Sequence, residues 1–181
     1  MDETPPKTQI STRVAYQNPW ITVHEDETVA FDGSTGIYGY VESKDSVIIA
    51  VINEQREVFL VRGFRYPTKS WGWELPGGGG DGENLLDASK RELEEETGLI
   101  ANSWTNLGSF YVCNGLLTEQ MGVFVAQGHR PDGQKEESTE RFADMRFFSL
   151  AEIDALIQAG EVNDCQTITA LYLVKSWLVT Q

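Results

Sequence analysis

Residues 77–99 read GGGGDGENLLDASKRELEEETGL, a glycine-rich loop followed by a run that is rich in leucine, lysine, arginine and glutamate. The part from 84 to 97 contains neither proline nor glycine, and its composition is typical of an α-helix. Gly98 follows it directly, at a position where many helices end in a left-handed residue. The stretch therefore predicts a loop and then a helix over residues 84–97.

The predicted helix carries an acidic face. Glu92, Glu95 and Glu96 stand at positions i, i+3 and i+4, so their carboxylates share one side of the helix. Like charges at this spacing cost a helix only about 0.2–0.5 kcal/mol, which makes a solvated surface the ordinary interpretation. Another stripe is largely apolar and suited to packing on a sheet, and it consists of Leu86, Ser89, Leu93 and Thr97.

Two features favour a metal site over a solvated surface. Arg91 can pair with Glu95 one turn later or reach back to Glu83, and either pairing would hold a carboxylate in place. The glycine-rich loop before the helix lets backbone carbonyls and a substrate approach closely. Aligned carboxylates form a hard oxygen site that suits Mg²⁺ or Mn²⁺, and such ions usually bridge to phosphate groups. The sequence thus predicts a divalent-cation site that takes a diphosphate.

Composition limits the class of protein. A chain of 181 residues is long enough for one domain with a substantial core, and we predict a single domain over residues 1–181. The 14 basic and 28 acidic residues give a formal net charge of −14, and no lysine and arginine cluster points to nucleic-acid binding. Cys113 and Cys165 lack a CxxC spacing and are predicted to be reduced, partly buried thiols.

No segment predicts secretion or membrane insertion. The N-terminal stretch MDETPPKTQI has neither a basic leader nor an apolar core. No apolar run reaches the roughly 20 residues that span a bilayer. We therefore expect a cytoplasmic protein that has no membrane partner.

Turn signals divide the rest of the chain into short strands and two further helices. Residues 1–19 are predicted to be an N-terminal arm, residues 20–181 the core, and residues 67–82 a loop-rich segment. Residues 47–52 form a continuous apolar run, which is typical of a strand covered on both faces. Predicted strands lie at 21–31, 36–42, 46–52, 57–65, 104–112, 122–127 and 145–149, and predicted helices at 150–159 and 166–179.

The glycine loop and the acidic helix together resemble the Nudix box, G-x5-E-x7-R-E-U-x-E-E-x-G-U with U apolar. Every position of the box is matched, by Gly77, Glu83, Arg91, Glu92, Leu93, Glu95, Glu96, Gly98 and Leu99. The segments FLVRGFRYPTKSWGWELPGG, LGSFYVCNGLLTEQMGVFVAQG and GEVNDCQTITALYL are similar to the Nudix branch that cleaves ADP-ribose and nucleoside diphosphate sugars. The resemblance implies an α/β fold in which a mixed β-sheet is sandwiched between helices, with antiparallel strands at the N-terminus.

The resemblance also implies a metal-dependent pyrophosphatase that yields a nucleoside monophosphate and a sugar phosphate. Glu92, Glu95 and Glu96 would be catalytic residues that coordinate one to three Mg²⁺ ions, with Mn²⁺ as a substitute. A backbone carbonyl near Gly77 would assist them. Arg91 and Glu83 would orient the ligands, as the groups behind metal ligands usually do.

Substrate contacts are implied for residues that precede the box. Arg65 and Arg62 would bind substrate, with Arg65 on a phosphate, and Glu74 would lie at the nucleotide side of the cleft. Trp71 or Trp73 would stack on the base, with a core position as the alternative for either ring.

A glutamate on a loop after the box often completes the site as the general base in this branch. Glu140, Glu137 and Glu136 are the candidates in that order, since Glu140 stands nearest the strand that would position it. A solvated charge run is the alternative for each of them.

Two other functions stay open. One is a pyrophosphatase for nucleoside triphosphates of the oxidised dGTP type, and the other is a non-catalytic Nudix sensor that binds a nucleotide sugar. The flanking segments favour the nucleoside diphosphate sugar, and the intact box disfavours a sensor. The branch also implies a homodimer, because its members often pair through N-terminal strands.

Overall fold

The structure is a computed structural model that describes residues 5–133 and 142–181. The chain divides into two compact units. The N-terminal unit comprises Met1–Lys44 and Tyr111–Gln120, and the larger unit comprises Asp45–Phe110 and Met121–Gln181. The single domain predicted over residues 1–181 stays a prediction.

An antiparallel three-stranded sheet forms the N-terminal unit, in the order β1 (Lys7–Gln17), β2 (Ile21–Ala30) and β3 (Thr35–Ser43). The prediction of an arm over residues 1–19 is therefore wrong for most of that segment. Strand β1 is exposed along its whole length, so it lacks the apolar alternation by which a half-buried strand is recognised. Its hydrogen bonds to β2 hold it in place, and this long-range pairing leaves little trace in the local sequence.

A mixed seven-stranded sheet lies almost entirely in the larger unit. Its strands are β4 (Ser46–Ile52), β5 (Val58–Arg65), β6 (Ser70–Glu74), β7 (Gly77–Gly79), β8 (Ser103–Tyr111), β9 (Gln120–Gln127) and β10 (Asp144–Phe148). The main path runs β10-β5-β4-β9-β8, with β6 paired to β5 and β7 paired to β4. Strands β4 and β9 are parallel, and β4 is antiparallel to β5 and to β7.

The described residues form three helices, α1 (Leu85–Thr97), α2 (Leu150–Gln158) and α3 (Cys165–Val179), of which α1 and α3 contact the central strand β4. Val47, Ile49 and Val51 of β4 share one hydrophobic cluster with Ala88 and Leu93 of α1. The alternate residues of β4 are also buried and point to the opposite face, and α3 contacts the same strand. The predicted strand with two covered faces is thus present between helices.

Helix α1 begins and ends close to the predicted residues. The Asn84 side chain caps the first turn by accepting a hydrogen bond from the backbone N–H of Leu86. Gly98 ends the helix at φ 72°, in the left-handed region that favours glycine. Ser89 and Leu93 of the predicted packing stripe are fully buried.

The segment 67–82, predicted to be loop-rich, contains strands β6 and β7. Strand β7 consists of glycines only, which have no side chains to show a strand pattern. It forms because its backbone pairs with the first half of β4.

Cys113 and Cys165 are free thiols as predicted, but both are exposed rather than partly buried. Within the described part of the chain, no helix is long and apolar enough to cross a membrane.

Candidate active site

Strand β7 and helix α1 bring the glycine loop against the acidic face of the helix. The backbone N–H of Gly77 donates a hydrogen bond to Oε2 of Glu96 at 3.0 Å. Gly77 itself is paired with Ile48 in the central strand β4. One carboxylate of the predicted metal site is therefore oriented by the backbone of the sheet. Ligation by a carbonyl near Gly77 stays a prediction.

Arg91 connects the remaining carboxylates. Its Nη1 donates to Oε1 of Glu92 at 2.8 Å and to Oε2 of Glu95 at 3.0 Å, and its Nε donates to Oε1 of Glu83 at 3.2 Å. The two pairings that the sequence left as alternatives, with Glu95 and with Glu83, thus occur together. Nη2 of Arg91 also donates to the carbonyl of Gly79 at 2.9 Å. No sequence pattern predicts this last contact, because its acceptor is a backbone carbonyl.

Charge at this cluster favours a cation. Arg91 faces the carboxylates of Asp81, Glu83, Glu92 and Glu95 at 2.8–3.9 Å. Burial raises the pKa of the Glu92 carboxyl, although the hydrogen bond and charge of Arg91 act in the opposite direction. Burial also disfavours the charged guanidinium, but hydrogen bonds and negative charge from Glu92 and Glu95 outweigh it and raise the pKa of Arg91. One guanidinium compensates these carboxylates only in part.

The donor set fits a hard divalent cation. Oxygens of Glu92 and Glu95 both lie within hydrogen-bond distance of a single nitrogen, Nη1 of Arg91, so they already converge on one positive charge. Carboxylate oxygens are the ligands that Mg²⁺ and Mn²⁺ prefer. Among the described residues no three acidic, histidine or cysteine side chains are yet arranged around one point as metal ligands. A cation held by three of these carboxylates thus requires at least one of them to leave its present position.

Arg65 and Glu74 form an ion pair on the face of the sheet where α1 lies. The register of β5 and β6 places them on the same face as Val61, which belongs to the cluster with α1. Nε of Arg65 donates to both oxygens of Glu74 at 3.1 and 2.9 Å, and Nη2 donates to Oε2 at 2.5 Å. The Glu74 side chain is 6% exposed and that of Arg65 is 53% exposed. Glu74 therefore orients Arg65, whose side chain is about half exposed to solvent.

The same register places Arg62, Trp71 and Trp73 on the opposite face. Trp73 is buried, with its ring edge-on to Phe148 and Arg146 over it, which is the core position named as the alternative to stacking. Trp71 is 44% exposed and packs against Phe64. Arg62 lies 3.6 Å from Glu161. The structure thus does not bring these three residues to the face of the sheet that carries Arg65, Glu74 and α1.

The candidates for the general base, Glu136, Glu137 and Glu140, lie outside the described residues. Their assignment stays a prediction.

The protein is thus an α/β protein in which a mixed sheet lies between helices. Its glycine loop contacts an acidic helix, and together they form a candidate divalent-cation site. Two family models match the chain in succession. The model described as "NUDIX domain" matches residues 42–168, and the model described as "Nucleoside diphosphate sugar hydrolase N-terminal domain" matches residues 8–41. The chain belongs to the Nudix family.

Relatives agree with this assignment. The chain is 28% identical over 161 residues to ADP compounds hydrolase NudE of Escherichia coli, covering 86% of either protein. It is 29% identical over 133 residues to ADP-ribose pyrophosphatase of Bacillus subtilis, covering 72% of each. A crystal structure of an ADP compounds hydrolase superimposes with a TM-score of 0.87 at 24% identity, covering 98% of this chain and 96% of that one. The predicted Nudix fold and the predicted class, a Nudix hydrolase, are confirmed.

Proposed function

We propose that this protein hydrolyses the diphosphate bond of ADP-ribose or a related nucleoside diphosphate sugar, with Mg²⁺ as its cofactor and a nucleoside monophosphate and a sugar phosphate as products. The observation that carries the proposal is the convergence of Glu92 and Glu95 on Nη1 of Arg91, beside Glu96 held by the Gly77 N–H. The match of residues 8–41 to an N-terminal domain of nucleoside diphosphate sugar hydrolases supports this class of substrate.

Each group has a role that follows from its position. Glu92, Glu95 and Glu96 would hold the cation, and Arg91 with Glu83 would keep their carboxylates oriented. Bound Mg²⁺ would neutralise diphosphate oxygens and lower the pKa of a bound water.

Arg65 would bind a substrate phosphate through its guanidinium, which Glu74 fixes in orientation on a half-exposed side chain. Glu140, then Glu137, then Glu136 stay our candidates for the general base. We retain neither Trp71 nor Trp73 as the residue that stacks on the base, because both lie on the sheet face opposite Arg65 and Glu74.

Product identification on a substrate panel tests the proposal. The purified protein is incubated with ADP-ribose, ADP-glucose, GDP-mannose and 8-oxo-dGTP, each with Mg²⁺ and with excess EDTA. We expect a nucleoside monophosphate and a sugar phosphate from at least one diphosphate sugar in Mg²⁺ and none in EDTA. Hydrolysis of 8-oxo-dGTP alone would favour the triphosphate alternative, and binding of a nucleotide sugar without turnover would favour a sensor. Either result would refute the proposal.

We also propose a homodimer in the cytoplasm. Strands β1 and β3 expose the apolar side chains of Ile10, Val14, Tyr16 and Ile37, and monomeric proteins seldom expose many such groups together. A second copy of this chain would remove them from water. Light scattering coupled to gel filtration is expected to give twice the mass of the chain, and a mass of 20.2 kDa would contradict the dimer.

A further inference from the structure

Gly78 lies directly against the carboxylate of Glu92. A Cβ atom built on Gly78 would stand 2.5 Å from Oε2, 2.6 Å from Cδ and 2.8 Å from Oε1 of Glu92. Real Cβ atoms are not found this close to other heavy atoms, so the site as it stands has no room for a side chain at residue 78. The backbone of Gly78 therefore limits where the Glu92 carboxylate can lie.

The neighbouring glycines meet other surroundings. A Cβ on Gly77 would stand 2.2 Å from the carbonyl oxygen of Val47, within the backbone of β4. A Cβ on Gly79 would have its nearest neighbour, Oδ1 of Asp81, at 4.0 Å, which is ordinary contact. Neither Gly78 nor Gly79 has a positive φ, so alanine suits the backbone at both positions. Of these three positions, residue 78 is thus the one where a side chain would collide with a proposed metal ligand, Glu92.

We propose that Gly78 is a positioning residue for the metal site: its bare backbone and the guanidinium of Arg91 together confine the Glu92 carboxylate to the conformation from which it binds the cation. Arg91 contacts Oε1 of Glu92 at 2.8 Å, and Gly78 bounds the group by steric contact. This inference rests on the metal site of the proposed function.

A methyl group at residue 78 would displace Glu92 rather than the sheet. The atoms that it meets are the end of a flexible side chain, which can change rotamer at small cost, whereas main chain cannot. The fold should therefore keep its stability, and the cation should lose one well-placed ligand. Loss of a group that orients a metal ligand typically weakens metal binding by 10–100-fold.

Titration with Mn²⁺, followed by electron paramagnetic resonance of the free ion, tests the proposal. We expect Gly78→Ala to bind Mn²⁺ at least about 10-fold more weakly than the wild type, and Gly79→Ala to bind it as the wild type does. Thermal unfolding in EDTA should give the same midpoint for all three proteins. In a Glu92→Gln background, Gly78→Ala should have no further effect on Mn²⁺ affinity, because the group that it displaces no longer acts as a carboxylate ligand.

Each other outcome overturns a distinct claim. Wild-type affinity in Gly78→Ala, a persisting effect in the Glu92→Gln background, or a lowered unfolding midpoint in EDTA would each overturn the role of Gly78. Absence of Mn²⁺ binding by the wild type would instead overturn the metal site of the proposed function.

Discussion

Replacement of Glu96 by glutamine is expected to lower kcat/KM for the nucleoside diphosphate sugar by at least about 100-fold. Metal-assisted stabilisation of the transition state is worth several kcal/mol, and each 1.36 kcal/mol corresponds to a tenfold change in rate. Oε2 of Glu96 accepts a hydrogen bond from Gly77 at 3.0 Å, and the amide oxygen of glutamine can accept the same bond. The substitution thus removes the negative charge and preserves the contact with the loop.

Glu94→Gln is the matched control for this change. Glu94 belongs to the same helix, but the spacing places it away from Glu92, Glu95 and Glu96. The control should keep wild-type kcat/KM in Mg²⁺, and both variants should keep the wild-type unfolding midpoint in EDTA. Turnover of Glu96→Gln at the wild-type rate would show that the cation site has been placed on the wrong residues.

Replacement of Gly77 by alanine is expected to destabilise the larger unit by about 3 kcal/mol or more, at the upper end of what overpacking costs. The added Cβ would stand 2.2 Å from the carbonyl oxygen of Val47 and 2.9 Å from Cα of Ile48. Both residues are paired on their other side with β9, at Gly122 and Val123, so the main chain of β4 cannot yield without strain in the parallel ladder.

Thermal unfolding in EDTA measures this effect without any contribution from a bound cation. A loss of this size corresponds to a fall of roughly 6–12 °C in the midpoint for a chain of this length. Gly79→Ala, in which the added Cβ meets only ordinary contact, should unfold at the wild-type temperature. An unchanged midpoint for Gly77→Ala would mean that β7 does not pair closely with β4.

Local sequence patterns predicted the helix and the contacts that form between residues close together in the chain. The helix over 84–97 and its end at Gly98 followed from composition and spacing, and α1 spans Leu85–Thr97. The shared face of Glu92, Glu95 and Glu96 follows from the helical repeat alone. Arg91 reaches Glu95 within one turn, so this pairing could be predicted as well. These features depend only on the separation of residues along the chain, which can be read from the sequence.

Features that depend on distant partners were missed or misplaced. A polar segment with a proline pair predicts an arm over residues 1–19, whereas strand β1 is formed by pairing with β2. Trp73 is a candidate for stacking on a base because its ring is suited to stacking. Its place in the sequence does not show which face of the sheet the ring lies on. The pairing of β5 with β6 places it in the core beside Phe148.

The family, the acidic helix and the carboxylates offered to a cation can all be established from the order of residues, because a helix brings residues three and four positions apart to one face. The boundaries of that site depend instead on how the strands pair. The pairing of β7 with β4 places Gly77 against Glu96 and Gly78 against Glu92. The pairing of β5 with β6 lets Glu74 orient Arg65. Each of these contacts joins residues from different elements, and only the assembled sheet sets the distances between them.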